Sequence, residues 1–118
     1  MNKYPELLAP AGDLEKMRFA IAYGADAVYL AGQRFGMRAA AANFADNALR
    51  EGIAYAHARG VKCYITVNIM PSCCDLPALP AYLELLQDAG ADALIVADVG
   101  VIRLAQKYAP KVPLHIST

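Results

Sequence analysis

Apolar and polar positions along this chain switch repeatedly between two periods. Short runs that are continuous or alternating, of strand length, are followed by runs in which apolar residues return every three or four positions. Glu6-Leu7-Leu8-Ala9 predicts a first strand, kept from helix by Pro5 and ended by Pro10-Ala11-Gly12. Leu14, Met17 and Ile21 share one helical face, which predicts a helix over 14–23. Asp13 is placed to cap it, with Glu15 where the helix dipole favours an acid. Ala27 to Ala31 predicts the second strand. Asp46 is read as the cap of a second helix whose Leu49, Ile53 and Ala56 form one face, and the β-branched run Val61 to Asn68 as the third strand. Asp75 is read as a further cap, with Pro77 and Pro80 in the opening turn of helix three, where a missing N–H matters least. Ala93 to Asp98 predicts strand four, Val101 to Ala109 a helix stopped by Pro110, and Pro113 to Ser117 strand five.

One junction is written twice. Ala22-Tyr23-Gly24-Ala25-Asp26-Ala27-Val28-Tyr29-Leu30 is echoed by Asp88-Ala89-Gly90-Ala91-Asp92-Ala93-Leu94-Ile95-Val96, and Ala58-Arg59-Gly60-Val61-Lys62 repeats the logic loosely. In each, a helix runs through a Gly, suited to the left-handed residue that ends it, and enters a strand. Three such joints at intervals of roughly thirty residues predict βα units laid side by side.

Strict alternation of strand and helix gives a parallel sheet, either open and doubly wound or closed as a barrel. Neither Ala9-Pro10-Ala11-Gly12-Asp13 nor Gly32-Gln33-Arg34-Phe35-Gly36 has the spacing of a dinucleotide-binding turn, which disfavours the open form. The parity of polar residues favours the barrel. Tyr64, Thr66 and Asn68 share one face of strand three, and His115 and Ser117 one face of strand five, with Glu6 and Tyr29 adding polar groups elsewhere. Helices want apolar partners, so these polar faces are expected to line a lumen. A whole (β/α)₈ barrel takes about 250 residues. The expectation is therefore an α/β fold: residues 1–118 as the N-terminal half of a TIM-type (β/α)₈ barrel, with about five strands and four helices.

Composition narrows the function classes. The chain has 118 residues, 58% hydrophobic and 19% charged, with a formal net charge of +0. That is one domain at most, apolar enough for strands buried on both faces, and without an electrostatic footprint for nucleic acid or an acidic membrane surface. No apolar run is long enough to span a bilayer, and Met1 to Glu6 lacks the hydrophobic region of a signal peptide. No membrane partner is therefore expected, and because Cys63, Cys73 and Cys74 form no disulfide framework, the reducing cytoplasm is the expected location.

In barrels of this kind, active sites collect at the C-terminal ends of strands and in the loops that follow. That rule selects Arg38 and Asn43 in the long segment Gly32 to Ala45, Asn68 at the end of strand three, Asp98 at the end of strand four, and His115 with Ser117 on strand five. His115, Asp98 and Asn68 are the candidate catalytic residues. His115 is the acid/base candidate because imidazole titrates near neutrality; its alternative is a hydrogen-bonded core histidine. Asn68 and Asp98 would position substrate or water, or instead cap the helices that follow. Arg38, Asn43 and Ser117 are the substrate-binding candidates, with Arg38 able to clamp a carboxylate or phosphate, or else lie solvated on its loop. His57, at the end of helix two and the opposite pole, reads as a favourable charge at a helix C-terminus. Cys73-Cys74 lacks further ligands at metal-site spacing, Cys63 reads as core, and no metal site is expected. No Lys stands where a Schiff-base mechanism needs one, and no Ser sits in a nucleophile elbow.

Pro5-Glu6-Leu7-Leu8-Ala9-Pro10-Ala11-Gly12-Asp13-Leu14-Glu15-Lys16 resembles the opening of the collagenase-like proteases, the U-thirty-two peptidases. The likeness continues through Ala20 to Leu30, Met37-Arg38-Ala39, Asn43-Phe44, Tyr55 to Lys62 and Thr66-Val67-Asn68, and ends in Leu114-His115-Ile116-Ser117-Thr118. The resemblance implies the N-terminal part of a family barrel and a peptidase, a hydrolase by name. Other members act in hydroxylation of RNA bases, oxygen-independent or prephenate-linked, or in ubiquinone hydroxylation. The family's Cys-rich signature lies further C-terminal, and the resemblance assigns those cysteines to an iron–sulfur cluster. It thus implies no cofactor in this segment and leaves the cluster to the absent C-terminal part. Three functions stay open: a peptidase completed by later residues; a redox hydroxylase on the same scaffold, with RNA or a small molecule as substrate; and a non-catalytic half barrel. The expected partner in folding is a second copy or the missing C-terminal half.

Overall fold

A computed structural model describes residues 5–32, 45–74 and 76–117. Five strands and four helices alternate through them: β1 (Leu8–Ala11), α1 (Leu14–Ala22), β2 (Ala27–Ala31), α2 (Asp46–His57), β3 (Lys62–Val67), α3 (Leu79–Ala89), β4 (Ala93–Val96), α4 (Val99–Tyr108) and β5 (Leu114–Ile116). The strands form one sheet in the order β1-β2-β3-β4-β5, every pair parallel. Successive helices touch, α1 on α2, α2 on α3 and α3 on α4, so all four lie on one face. A doubly wound sheet would reverse strand order and place helices on both faces. Sequential order with one covered face is the geometry of a barrel wall.

The two faces separate as the parity of the sequence required. Val28, Leu30, Cys63, Ile65, Val67, Leu94 and Val96 point to the helices and are buried with Met17, Leu49, Ile53, Leu79, Leu83, Leu86 and Val101. Fully burying an aliphatic side chain of this size is worth about 1.5–3 kcal/mol, so this layer is what the fold rests on. The opposite face carries Tyr29, Tyr64, Thr66, Ile95 and His115 and is covered by no helix among the described residues; its buried nucleus is Ala27, Tyr64 and Ala93.

The repeated junction has a local cause. Gly24 and Gly90 have φ of 102° and 94°, values that a Cβ would strain. After each, an Asp reaches back to the preceding strand. Asp26 Oδ2 accepts the Leu7 N–H at 2.8 Å and Asp92 Oδ2 accepts the Cys63 N–H at 2.8 Å. The Asp26 and Asp92 backbone N–H groups donate to the Leu7 and Cys63 carbonyls in turn. Each Asp thereby locks the entry of one strand to its neighbour, and Asp92 holds the His57 Nε2 as well, at 2.8 Å.

Several boundaries differ from expectation. β1 runs two residues later than predicted and contains Pro10, which an edge strand tolerates because a missing N–H there breaks no ladder. Ala45, not Asp46, stands at the N-cap position of α2, and Asp46 opens the helix with its charge at the positive end of the dipole. Pro80 lies in the first turn of α3, but Pro77 precedes the helix. α4 starts at Val99, earlier than predicted, because Asp98 caps it. Asp75 lies outside the described residues. No helix among the described residues is long and apolar enough to cross a membrane.

Candidate functional site

The uncovered face of the sheet is built in rows. Register puts Pro10, Tyr29, Tyr64 and Ala93 in one row, and Ala31, Thr66, Ile95 and His115 in the next towards the C-terminal pole. Val67, Val96 and Ile116 are level, so Asn68, Ala97 and Ser117 follow together at the C-terminal rim. Three of the residues selected from sequence, Asn68, Asp98 and Ser117, therefore end adjacent strands at one pole. His115 stands one row below, on the inner face.

Their local roles differ. His115 is exposed and its ring meets the Tyr64 ring edge-on, with centroids 5.2 Å apart and planes at 70°. The alternative of a buried core histidine is thus not what the fold builds. Asp98 uses one carboxylate oxygen, Oδ2, to accept the Val101 N–H at 3.1 Å, which is the capping alternative. Asn68 and Ser117 are half-buried, and the Ser117 N–H donates to the Val96 carbonyl at 2.6 Å, extending the β4–β5 pairing into the rim. Arg38 and Asn43 lie outside the described residues.

Tyr64 and Glu6 complete the inner face in a way the sequence did not specify. Tyr64 is only 8% exposed, whereas Leu8 and Tyr29 are 41% and 36% exposed. Its hydroxyl donates to Glu6 Oε1 at 2.7 Å, across 58 positions of sequence. Burial first, and then the Glu6 carboxylate with a smaller contribution from Asp92, push the phenol up to about 12, so it stays protonated. Parity had put Tyr64 on this face; nothing local could pair it with Glu6. Thr66 Oγ1 donates to the Leu30 carbonyl at 3.3 Å.

Cys63 offers no nucleophile, and the described thiols do not gather into a cluster site. Cys63 faces the helices, fully buried, and burial with the Asp92 charge pushes it up to about 12, far from the thiolate a nucleophile needs. Cys73 and Cys74 are exposed free thiols in the segment after β3. Among the described residues no group of three or more His, Cys, Asp or Glu stands close enough to hold a metal ion. The donor set for an iron–sulfur cluster is not found among the described residues. His57, at the far pole, pairs with Asp92 as a structural contact. A shallow hollow of about 670 Å³ on the helical side, bordered by Arg50, Glu84, Asp88 and Lys111, is remote from the rim.

Comparison with known proteins agrees with this architecture. The model of peptidase family U32 matches residues 12–118. The chain is 44% identical over 118 residues to tRNA hydroxylation protein P1 of Bacillus subtilis (strain 168), covering all of this chain and 28% of that protein. It is 44% identical over 113 residues to tRNA hydroxylation protein P of Escherichia coli (strain K12), covering 96% of this chain and 25% of that protein. The chain thus spans about a quarter of the length of these relatives. Among solved structures, the U32 peptidase Mk0906 superposes with a TM-score of 0.72 at 14% identity, over 98% of this chain and 49% of that one. That likeness shows the fold alone: the five-stranded sheet is of the TIM-barrel type and corresponds to about half of such a chain.

Proposed function

This chain belongs to peptidase family U32, and from that premise we propose that it forms the N-terminal wall of a barrel that takes part in hydroxylating RNA bases rather than in cleaving peptides. The observation that carries the reading is the 44% identity, across the whole chain, to a protein named for tRNA hydroxylation. The geometry is consistent with it. Peptide cleavage by a side-chain nucleophile needs a Ser or Cys within hydrogen-bond reach of a base. Cys63 is buried on the wrong face, and His115 has an aromatic ring, not a hydroxyl or thiol, as its described neighbour.

In this reading His115 is the acid/base group of the lumen, Asn68 and Asp98 position substrate at the rim, and Arg38, Asn43 and Ser117 bind it. Any remaining wall and cluster ligands would lie outside residues 1–118, and the oxygen atom and two-electron oxidant that hydroxylation requires would come from a co-substrate, with the cytoplasm as the working compartment.

The test is genetic and chemical. The gene containing this sequence is deleted and then restored, and tRNA nucleosides are compared by mass spectrometry. Loss of a nucleoside heavier by one oxygen atom, recovered by the intact gene and not by His115→Gln, is the expected result. An unchanged nucleoside profile, together with gelatin cleavage by the purified protein, would return the family's protease name to this chain.

A further inference from the structure

The inner face holds one connected line of side chains that crosses it from edge to edge: Glu6 just ahead of β1, Tyr64 on β3 and His115 on β5. Tyr64 is tied at both ends. Its hydroxyl is held by Glu6 Oε1 at 2.7 Å and its ring by the His115 ring at 5.2 Å. The intervening strands make room for this. β2 supplies Ala27 and β4 supplies Ala93, both buried against Tyr64, and Ala93 is its register partner. A larger residue at Ala93 would stand between Tyr64 and the strand that carries His115.

The exposure pattern fits support of His115 from beneath. Tyr64 is buried while Glu6 and His115 at the two ends are exposed. Glu6 lies towards the N-terminal pole, the stabilising end of such barrels, and His115 one row nearer the C-terminal mouth than Tyr64. A tyrosine fixed at its hydroxyl has little rotamer freedom left, so its ring is a stationary wall for the imidazole. Edge-on aromatic contact then favours one ring orientation over others.

We propose that Glu6 and Tyr64 are positioning residues for His115: the carboxylate anchors the phenol, and the anchored ring sets the orientation in which the imidazole faces the barrel mouth. Tyr64 keeps its proton throughout and is neither the acid nor the base. The inference rests on reading the inner face as the reaction chamber, but its geometric half is measurable without any activity.

The experiment uses the intact protein in its assembled state, labelled with ¹³C in its Tyr and His rings and followed by NMR in wild type, Glu6→Gln, Glu6→Ala, Tyr64→Phe and Tyr64→Leu, with the His115 signals assigned by their loss in His115→Gln. The His115 ring protons are expected to carry a ring-current displacement that Tyr64→Leu abolishes. Tyr64→Phe and Glu6→Ala reduce it, because the ring is no longer anchored, and Glu6→Gln restores it by keeping an acceptor. The Tyr64 titration moves down in both Glu6 variants. His115 signals identical in wild type, Tyr64→Phe and Glu6→Ala would overturn the proposal. These variants keep an aromatic ring at position 64, so that outcome is decisive even if Tyr64→Leu does not fold. In the active protein, Tyr64→Phe is expected to lower kcat about tenfold with little change in KM, as for a misplaced catalytic group. Normal kcat in Tyr64→Phe beside an inactive His115→Gln refutes the positioning role. If His115→Gln is itself fully active, the reaction-chamber reading fails and the catalytic half of the proposal with it, whatever the NMR displacement shows.

Discussion

Replacing Asp92 or Asp26 with Ala removes the same group from two copies of one junction, and the structure predicts unequal costs. Asp92 Oδ2 accepts the N–H of Cys63, a residue with no exposed surface, and also contacts His57 Nε2. Without that carboxylate the Cys63 N–H has little water to turn to, and leaving a buried donor unmade costs about 1–3 kcal/mol. The His57 contact is partly exposed and adds about 0–1 kcal/mol. Asp26 Oδ2 accepts from Leu7, which is 55% exposed, so water can replace it and the loss is about 0.5–1 kcal/mol. Asp92→Ala should therefore cost about 2–3 kcal/mol and Asp26→Ala about a third of that. Urea unfolding followed by circular dichroism, at one fixed protein concentration, measures both. With a slope near 1–3 kcal/mol per molar, the Asp92→Ala midpoint should fall by about 1 M or more. Equal losses, or a larger loss at Asp26, would refute the argument that burial of the donor decides what this motif is worth.

Alkali should destabilise the chain in part through Cys63, alongside Tyr64. Its thiol is pushed from 9.0 up to about 12 by burial and then by Asp92, so the folded state favours the protonated form. That stability is complete below pH 9 and lost as pH rises towards 12, at most about 4 kcal/mol, and unfolding curves of Cys63→Ala should be flatter over that window. Gly32→Ala should destabilise by about 1–3 kcal/mol, since a Cβ there collides with the Tyr82 hydroxyl, and Tyr82→Phe should relieve part of it in a double-mutant cycle. Alone in solution the chain should self-associate. Among the described residues β1 and β5 are the sheet's edges, with Leu8 41% and Ile116 72% exposed, and no helix covers the inner face; a cooperative monomer at micromolar concentration by light scattering would contradict this.

Much of this protein is a local matter, and the sequence determined it. Period, parity and the Gly-Ala-Asp-Ala repeat each act within one element or one junction, so five strands, four helices, their order and the two faces of the sheet were legible. So was the placement of His115 on the inner face and of Asn68, Asp98 and Ser117 at one pole, because strand ends in a parallel sheet point the same way. Boundaries slipped where a neighbour decides: Pro10 belongs to β1 because that strand lies at the edge, which no local rule reveals. Asp98 illustrates a choice left open, since one residue type suits both a cap and a site, and only the Val101 N–H shows which bond its carboxylate makes. Glu6 and Tyr64 lie 58 positions apart, and Tyr64 and His115 are separated by an intervening strand. Contacts of that kind depend on register and on the small size of Ala27 and Ala93, quantities that exist only once the sheet has formed, and for that reason the tertiary structure alone decided them.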